Sequence, residues 1–295
     1  MDNPPASRSV EKVGSHPLKE LARAHTFATT AGFYRKMLRQ RVAADASYRL
    51  SFFLRIFTGS LLILLDLAAI YGLFTKTKTI GGWNRQQVLF VYALATAGFR
   101  LGDAFIGGCT ERISEHVRTG QFDRFLTRPI RPFVLLLGEE FAFRRVMQAV
   151  AVIGVLFAVV ASGHFGWSPI QWLLFVGSFI SATVISASLF IIVGSMSFWS
   201  PDTGEMGNSV TYGGNFAAQY PSHIYPSWIK RMLFTALPLA FVGYVPALVL
   251  LPGVTNPLSI PGWVSYCAPA ACIPVLFFAV TCWHLGMRAY QSTGS

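Results

Sequence analysis

The sequence predicts an all-α polytopic membrane protein with six transmembrane helices, and three observations lead there. Of the 295 residues, 53% are hydrophobic and 13% are charged, whereas a soluble domain carries about a quarter charged. Several apolar runs reach the roughly 20 residues that cross about 30 Å of hydrocarbon. Lys and Arg are also distributed unevenly: nine in residues 1–50 and seven in 110–145, against none in 163–169 or 252–262. By the positive-inside rule, both termini and the 110–145 segment are cytoplasmic. Lys76, Lys78 and Arg85 are a minor exception on the outer side. The net charge of +11 is thus a topology signal and does not indicate nucleic acid.

Residues 1–17 are polar, with Pro4, Pro5 and several Ser, and read as a disordered cytoplasmic tail. Residues 18–50 are basic and amphipathic. Phe33, Met37 and Leu38 recur at helical spacing among Arg35, Lys36, Arg39 and Arg41, which predicts an interfacial helix lying against anionic lipid. No cleavable signal precedes the first apolar run near Ser51, so the first span is expected to direct its own insertion. Within the membrane region 51–287, spans are predicted at 51–74, 87–109, 146–162, 170–196 and 263–287. The apolar run Phe133–Phe143 leads into the third along the interface, and 288–295 is a cytoplasmic tail.

The fifth crossing has two readings. Hydropathy favours Met232–Leu251, although Pro238 and Pro246 interrupt it. The other reading uses the polar stretch 202–219 and folds 225–251 back as an extracellular re-entrant element. Broken helix at membrane depth must be covered by protein or line a cavity. Both readings give the same orientation. Tyr220, Tyr225, Trp228 and Trp263 would then lie in the outer aromatic belt.

The longest charged run between apolar segments is Thr110–Pro129. Ile113 and Val117 share a helical face, Phe122, Phe125 and Leu126 continue the apolar set beyond Gly120, and Glu115 and Arg118 are spaced to pair at i,i+3. Such a surface helix either docks a soluble partner or only ties two spans together.

Catalytic chemistry has no foothold. The chain lacks any Gly-Lys dipeptide and therefore a phosphate-cradling loop. Its six histidines are scattered without zinc spacing, and no G-x-S-x-G elbow occurs. Cys109, Cys267, Cys272 and Cys282 read as small buried residues, with a Cys267–Cys272 bridge as the competing arrangement. Any energy must come from a partner or a gradient.

Intramembrane charges are the other candidates, because each costs about 2.5–3.5 kcal/mol at mid-bilayer unless it is paired or wet. Arg100 and Asp103 are spaced to pair on one helix, while Asp66 has no neighbour in its own span and is expected at a subunit interface or polar pathway. Asn208, Thr211, Tyr212, Asn215 and Gln219 form a polar stripe, with Gly207, Gly213 and Gly214 permitting close helix approach. These residues either line a pathway or hydrogen-bond to neighbouring helices. A stand-alone secondary carrier using Asp66, Arg100 and Asp103 is the alternative function.

Four passages resemble one family. Gly120-Gln121-Phe122-Asp123-Arg124-Phe125-Leu126-Thr127-Arg128-Pro129 looks like the cytoplasmic segment after the second span of ABC-2-type ABC exporter permeases, especially the bacterial multidrug, daunorubicin-type branch. Tyr220-Pro221 with Tyr225-Pro226-Ser227-Trp228 is similar to the turn after their fifth span, and Leu237-Pro238 through Tyr244-Val245-Pro246-Ala247 to their re-entrant piece. The ending Trp283–Ser295 is similar to that of the same branch. The resemblance covers most of residues 33–295 and implies a type V exporter-like domain in the bacterial plasma membrane. It implies a partner of the same or a different permease chain, and two copies of a separate ATPase that holds ATP and Mg. The coupling helix would lie in 110–129, with Glu111, Glu115, Arg118, Gly120, Phe122, Asp123, Arg124, Leu126 and Arg128 as coupling residues. The interfacial helix would be roughly Phe33–Tyr48. The resemblance also favours 202–219 as the fifth span, which leaves Lys230 and Arg231 outside, against the charge rule.

Overall fold

The computed structural model describes residues 49–128, 131–139, 142–200 and 204–291. The expected tail 1–17, the expected interfacial helix up to Tyr48, Pro129 and the last four residues lie outside them.

The described chain is helical: α1 Arg49–Lys76, α2 Arg85–Arg118, α3 Asp123–Leu126, α4 Pro132–Glu139, α5 Phe143–Gly163, α6 Pro169–Met196, α7 Gly204–Ala218, α8 Ser227–Phe234, α9 Tyr244–Leu250, α10 Gly262–Tyr266 and α11 Cys272–Ala289. Among the described residues, five helices are long and apolar enough to cross a membrane: α1, α2, α5, α6 and α11. The pair α8 and Leu239–Leu250 passes only if taken together, and it is bent by 75°. Of the two prolines that interrupt Met232–Leu251 as a straight span, Pro238 falls at this break, immediately before the short turn Leu239–Phe241, while Pro246 lies within α9. Helix α7 spans 15 residues, less than a perpendicular crossing requires.

Helix α2 is the axis of the bundle. Its apolar window is 78% buried, against 17% for α1 and for α11, so α2 is packed by protein where those two present apolar surface to their surroundings. Helix α5 covers one side of it and α6 the other; α11 packs on α6, and α1 leans on α5. Small residues allow the α2–α6 contact. A Cβ on Gly98 would stand 2.5 Å from that of Ala182, and one on Gly102 would stand 2.9 Å from the Ala187 amide nitrogen. The small-xxx-small spacing brings two backbones together and gains van der Waals contact where hydrophobicity drives nothing.

Capping boxes start both helices, Asn84 with Gln87 for α2 and Ser168 with Gln171 for α6, the latter with Pro169 at its first position. At the same end, Trp83 is fully buried, stacks on Tyr244 at 5.3 Å between centroids and donates to the Thr255 carbonyl at 3.1 Å. Helix α9 ends inside this roof. Its terminal carbonyls, with no helical partner of their own, are received by side chains from elsewhere: Gln171 to Val249 at 3.3 Å and Trp167 to Leu250 at 2.5 Å. Gln87 reaches the Pro252 carbonyl two residues on, at 3.0 Å. This is how a broken helix is sheltered.

Candidate functional site: an ion-pair cluster on the central helix

Midway along α2 the helix widens for one turn. Asp103–Gly107 forms a π-helix, an insertion of the kind that collects at functional positions because it re-aims side chains. Asp103, at its start, is 3% exposed. It pairs with Arg145 of α5, whose other nitrogen reaches Glu111 of α2 at 2.5 Å. The Tyr212 hydroxyl of α7 lies 2.8 Å from Glu111 and 3.2 Å from Asp103, so it can donate to one carboxylate at a time. Three elements meet around this pair of carboxylates. Gly107 makes room for it, since a Cβ there would collide with the Asp103 carboxylate and approach Arg145. Phe99 and Phe190 enclose the Tyr212 ring at 5.3 and 5.8 Å and shut off water from that side.

The expected Arg100–Asp103 pair exists at 4.0 Å, the margin of an ion pair, while Arg145 makes the close contact. Arg145 is the residue that sequence reasoning missed. The predicted span began at Val146, which counted Arg145 with the basic loop, but α5 starts at Phe143 and turns Arg145 inward. The signal available was its position in the first turn of a span.

Asp66 is half-buried, and its carboxylate accepts from the Tyr92 hydroxyl of α2 at 3.2 Å. It lies apart from the cluster. The polar stripe of α7 faces into the bundle: Thr211, Asn215 and Gln219 are buried, Asn208 and Tyr212 half-buried, and Val210 and Phe216 exposed. Thr211 bonds to its own helix, at the Gly207 and Asn208 carbonyls.

Below the cluster, α2 runs on without interruption to Arg118. Gly120 takes φ +69°, a left-handed conformation, and the chain turns so that the Phe122 amide bonds to the His116 carbonyl at 3.1 Å. Phe122 and Phe125 are fully buried in a second apolar cluster with Ile113, Val117, Leu135 and Leu136. Trp283, Met287 and Tyr290 from the end of the chain pack against it. The Tyr290 hydroxyl donates to Asp123 at 2.9 Å; burial, then that carboxylate, push its pKa up to about 12, so it stays a donor. Arg124 pairs with Glu139 of α4 at 2.7 Å. Of the residues expected to couple, Phe122 is therefore core, Gly120 and Asp123 are half-buried and Glu111 belongs to the ion cluster, while Glu115, Arg118, Arg124, Leu126 and Arg128 are exposed. Among the described residues, Glu115 pairs with Arg112 at 3.8 Å rather than with Arg118. The four cysteines are free thiols, so the Cys267–Cys272 bridge is not made.

Comparison with protein-family models matches residues 60–294 to the ABC-2 family transporter protein. The match covers well over half of the chain. The protein belongs to the ABC-2 transporter membrane family. It is a multi-pass membrane protein and the permease component of a transporter, a kind of subunit that works with an ABC ATPase. A comparison with curated proteins finds no match.

Proposed function

We propose that this ABC-2 permease is the transmembrane subunit of an ATP-driven exporter of the multidrug, daunorubicin-type branch. It forms a substrate pathway at a dimer interface and takes its mechanical work from two copies of a separate ATPase that bind ATP and Mg. The second permease is the same chain or a related one. The complex sits in the bacterial plasma membrane with both termini cytoplasmic, 202–219 as the fifth crossing and 225–251 re-entrant from outside.

The observation that supports this best is the single helix Arg85–Arg118, which begins in the roof, passes the ion cluster and ends at an exposed charged surface. Closure of the ATPase dimer would push Arg118, Arg124, Leu126 and Arg128. The second apolar cluster makes α3, α4 and the lower α2 move as one body, and the push arrives at Asp103, Glu111 and Arg145. There Tyr212 passes it to α7. Helices then tilt as rigid bodies and change access to the pathway.

Two experiments test this reading. Co-expressed with its partner ABC ATPase, the permease should co-purify with that ATPase, and a chain that exports alone from vesicles contradicts the assignment. Charge reversal at the exposed Arg118 and Arg128 should uncouple hydrolysis from export while leaving the fold intact. Reversal at Asp123 or Arg124 also breaks the Tyr290 and Glu139 contacts and should uncouple more severely. Gly120→Pro forces φ near −65° where the chain needs +69° and should do the same. Normal stimulated hydrolysis and export in all of these variants would remove the coupling role from 110–129.

A further inference from the structure

Among the described residues, the roof end of the molecule is basic. Segments 67–102, 141–201 and 206–295 contain no Asp or Glu, yet Lys76, Lys78, Arg85, Lys230 and Arg231 all fall at this end. Arg85 lies over the Tyr71 ring at 4.8 Å. Lys230 and Arg231 sit on α8, and among the described residues neither has a carboxylate within ion-pair distance. In the re-entrant reading they join Lys76, Lys78 and Arg85 as exceptions to the charge rule.

Beside them runs a groove of about 700 Å³ between α6, the α8–α9 break and the start of α11. Leu189, Phe234, Thr235, Trp263, Cys267 and Phe278 line it, and the lining is apolar apart from Thr235 and the cysteine thiol. Trp263 is 69% exposed and Phe278 57%, so the groove opens on the outside of the bundle. Its size falls within the roughly 300–1,000 Å³ of ligand sites. Arg231 shares a helix face with the groove, and Lys230 stands one residue to its side: Trp228, Arg231 and Thr235 are spaced i, i+3 and i+7 on α8 and the residue after it, and the Thr235 hydroxyl bonds to the Arg231 carbonyl at 2.7 Å. Arg231 thus stands at the mouth of a slot whose wall Thr235 forms, beside an exposed tryptophan of the kind that settles at headgroup depth.

We infer that this groove is a binding site for an anionic phospholipid, one acyl chain lying between α6 and α11 and the phosphate resting on Lys230 and Arg231. An apolar slot alone would accept any chain; cations with no protein carboxylate near them select a negative headgroup. The site does not depend on the coupling mechanism proposed above.

The test uses the full chain in phosphatidylcholine vesicles with increasing fractions of phosphatidylglycerol brominated in its acyl chains, which quenches tryptophan on contact. The Trp263 component is taken as the difference from Trp263→Phe. It should saturate at a low phosphatidylglycerol fraction, and brominated phosphatidylcholine should match it only at much higher fractions. Lys230→Gln and Arg231→Gln should each raise the half-saturating fraction roughly fivefold. Ala271→Phe, which fills the groove without changing charge, should abolish the saturable component while the chain stays monodisperse. Equal quenching by both lipids, or an unshifted curve in the glutamine variants, would overturn the headgroup assignment. Saturable quenching in Ala271→Phe, or none at any composition because a second copy covers the groove, would overturn the site itself.

Discussion

At the scale of single residues, the central fact is an economy of charge around Arg145. One guanidinium satisfies two carboxylates in a region where neither could be left alone. Removing it strands both, and loss of one partner of a buried pair costs about 3–5 kcal/mol. Arg145→Leu should therefore lower the thermal unfolding midpoint in detergent sharply, and adding Asp103→Asn should recover part of the loss. A second prediction concerns His223. Its Nε2 bonds to the Gly81 carbonyl at 2.9 Å beside Trp83. Burial holds its pKa below the ordinary 6.5 and Lys230 adds to this, against the opposing hydrogen bond to Gly81. The fold thus disfavours the imidazolium, so the stability this residue contributes is complete above about pH 6.5 and declines as pH falls below it. Hydrogen exchange at residues 80–83, corrected for intrinsic rate, should be less protected at about pH 5 than at about pH 7.5. His223→Gln, which keeps a donor for Gly81, should flatten that dependence.

At the scale of elements, packing explains what hydropathy ranks poorly. Helix α2 has the lowest mean hydropathy of the five candidate spans, 1.4, and is the most buried, because its face toward α6 is built from glycine and alanine rather than leucine. Gly102→Val would press a branched side chain against the Thr183 carbonyl and the Ala187 amide of α6. It should cost about 1–3 kcal/mol and loosen α2 from α6. The readout is the unfolding midpoint together with faster exchange of the α6 amides around residue 186. Conservative changes on the exposed face of α1, such as Leu61→Ile, should leave both unchanged, since Leu61 is 41% exposed.

At the scale of the whole molecule, the sequence made the class and most spans legible, because about 20 apolar residues in a row have few other uses. The inward face of 110–118 was legible too, with Ile113 and Val117 buried and Arg118 exposed as their spacing required, but the expected separate surface helix is instead the uninterrupted end of α2. The site was half legible. Asp103 and Tyr212 were singled out, but their meeting depends on a π-turn that no local pattern announces and on an arginine that composition assigns to a loop. The inward direction of the α7 stripe likewise depends on tertiary packing, which a helical period cannot orient. Topology supplies the prediction at this scale. In a cysteine-free background, Thr79→Cys should react with a membrane-impermeant maleimide added to intact cells. Thr119→Cys should react only after permeabilisation, and the opposite pattern would invert the proposed orientation.

The tethering of the α9 terminus has a mechanical corollary. A flap swinging on its own hinge would tear the Val249, Leu250 and Pro252 oxygens from donors rooted in α6, the segment before it and α2. The lid is thus riveted to its posts. Any vestibule at that end must widen by the posts leaning apart and carrying their ceiling with them.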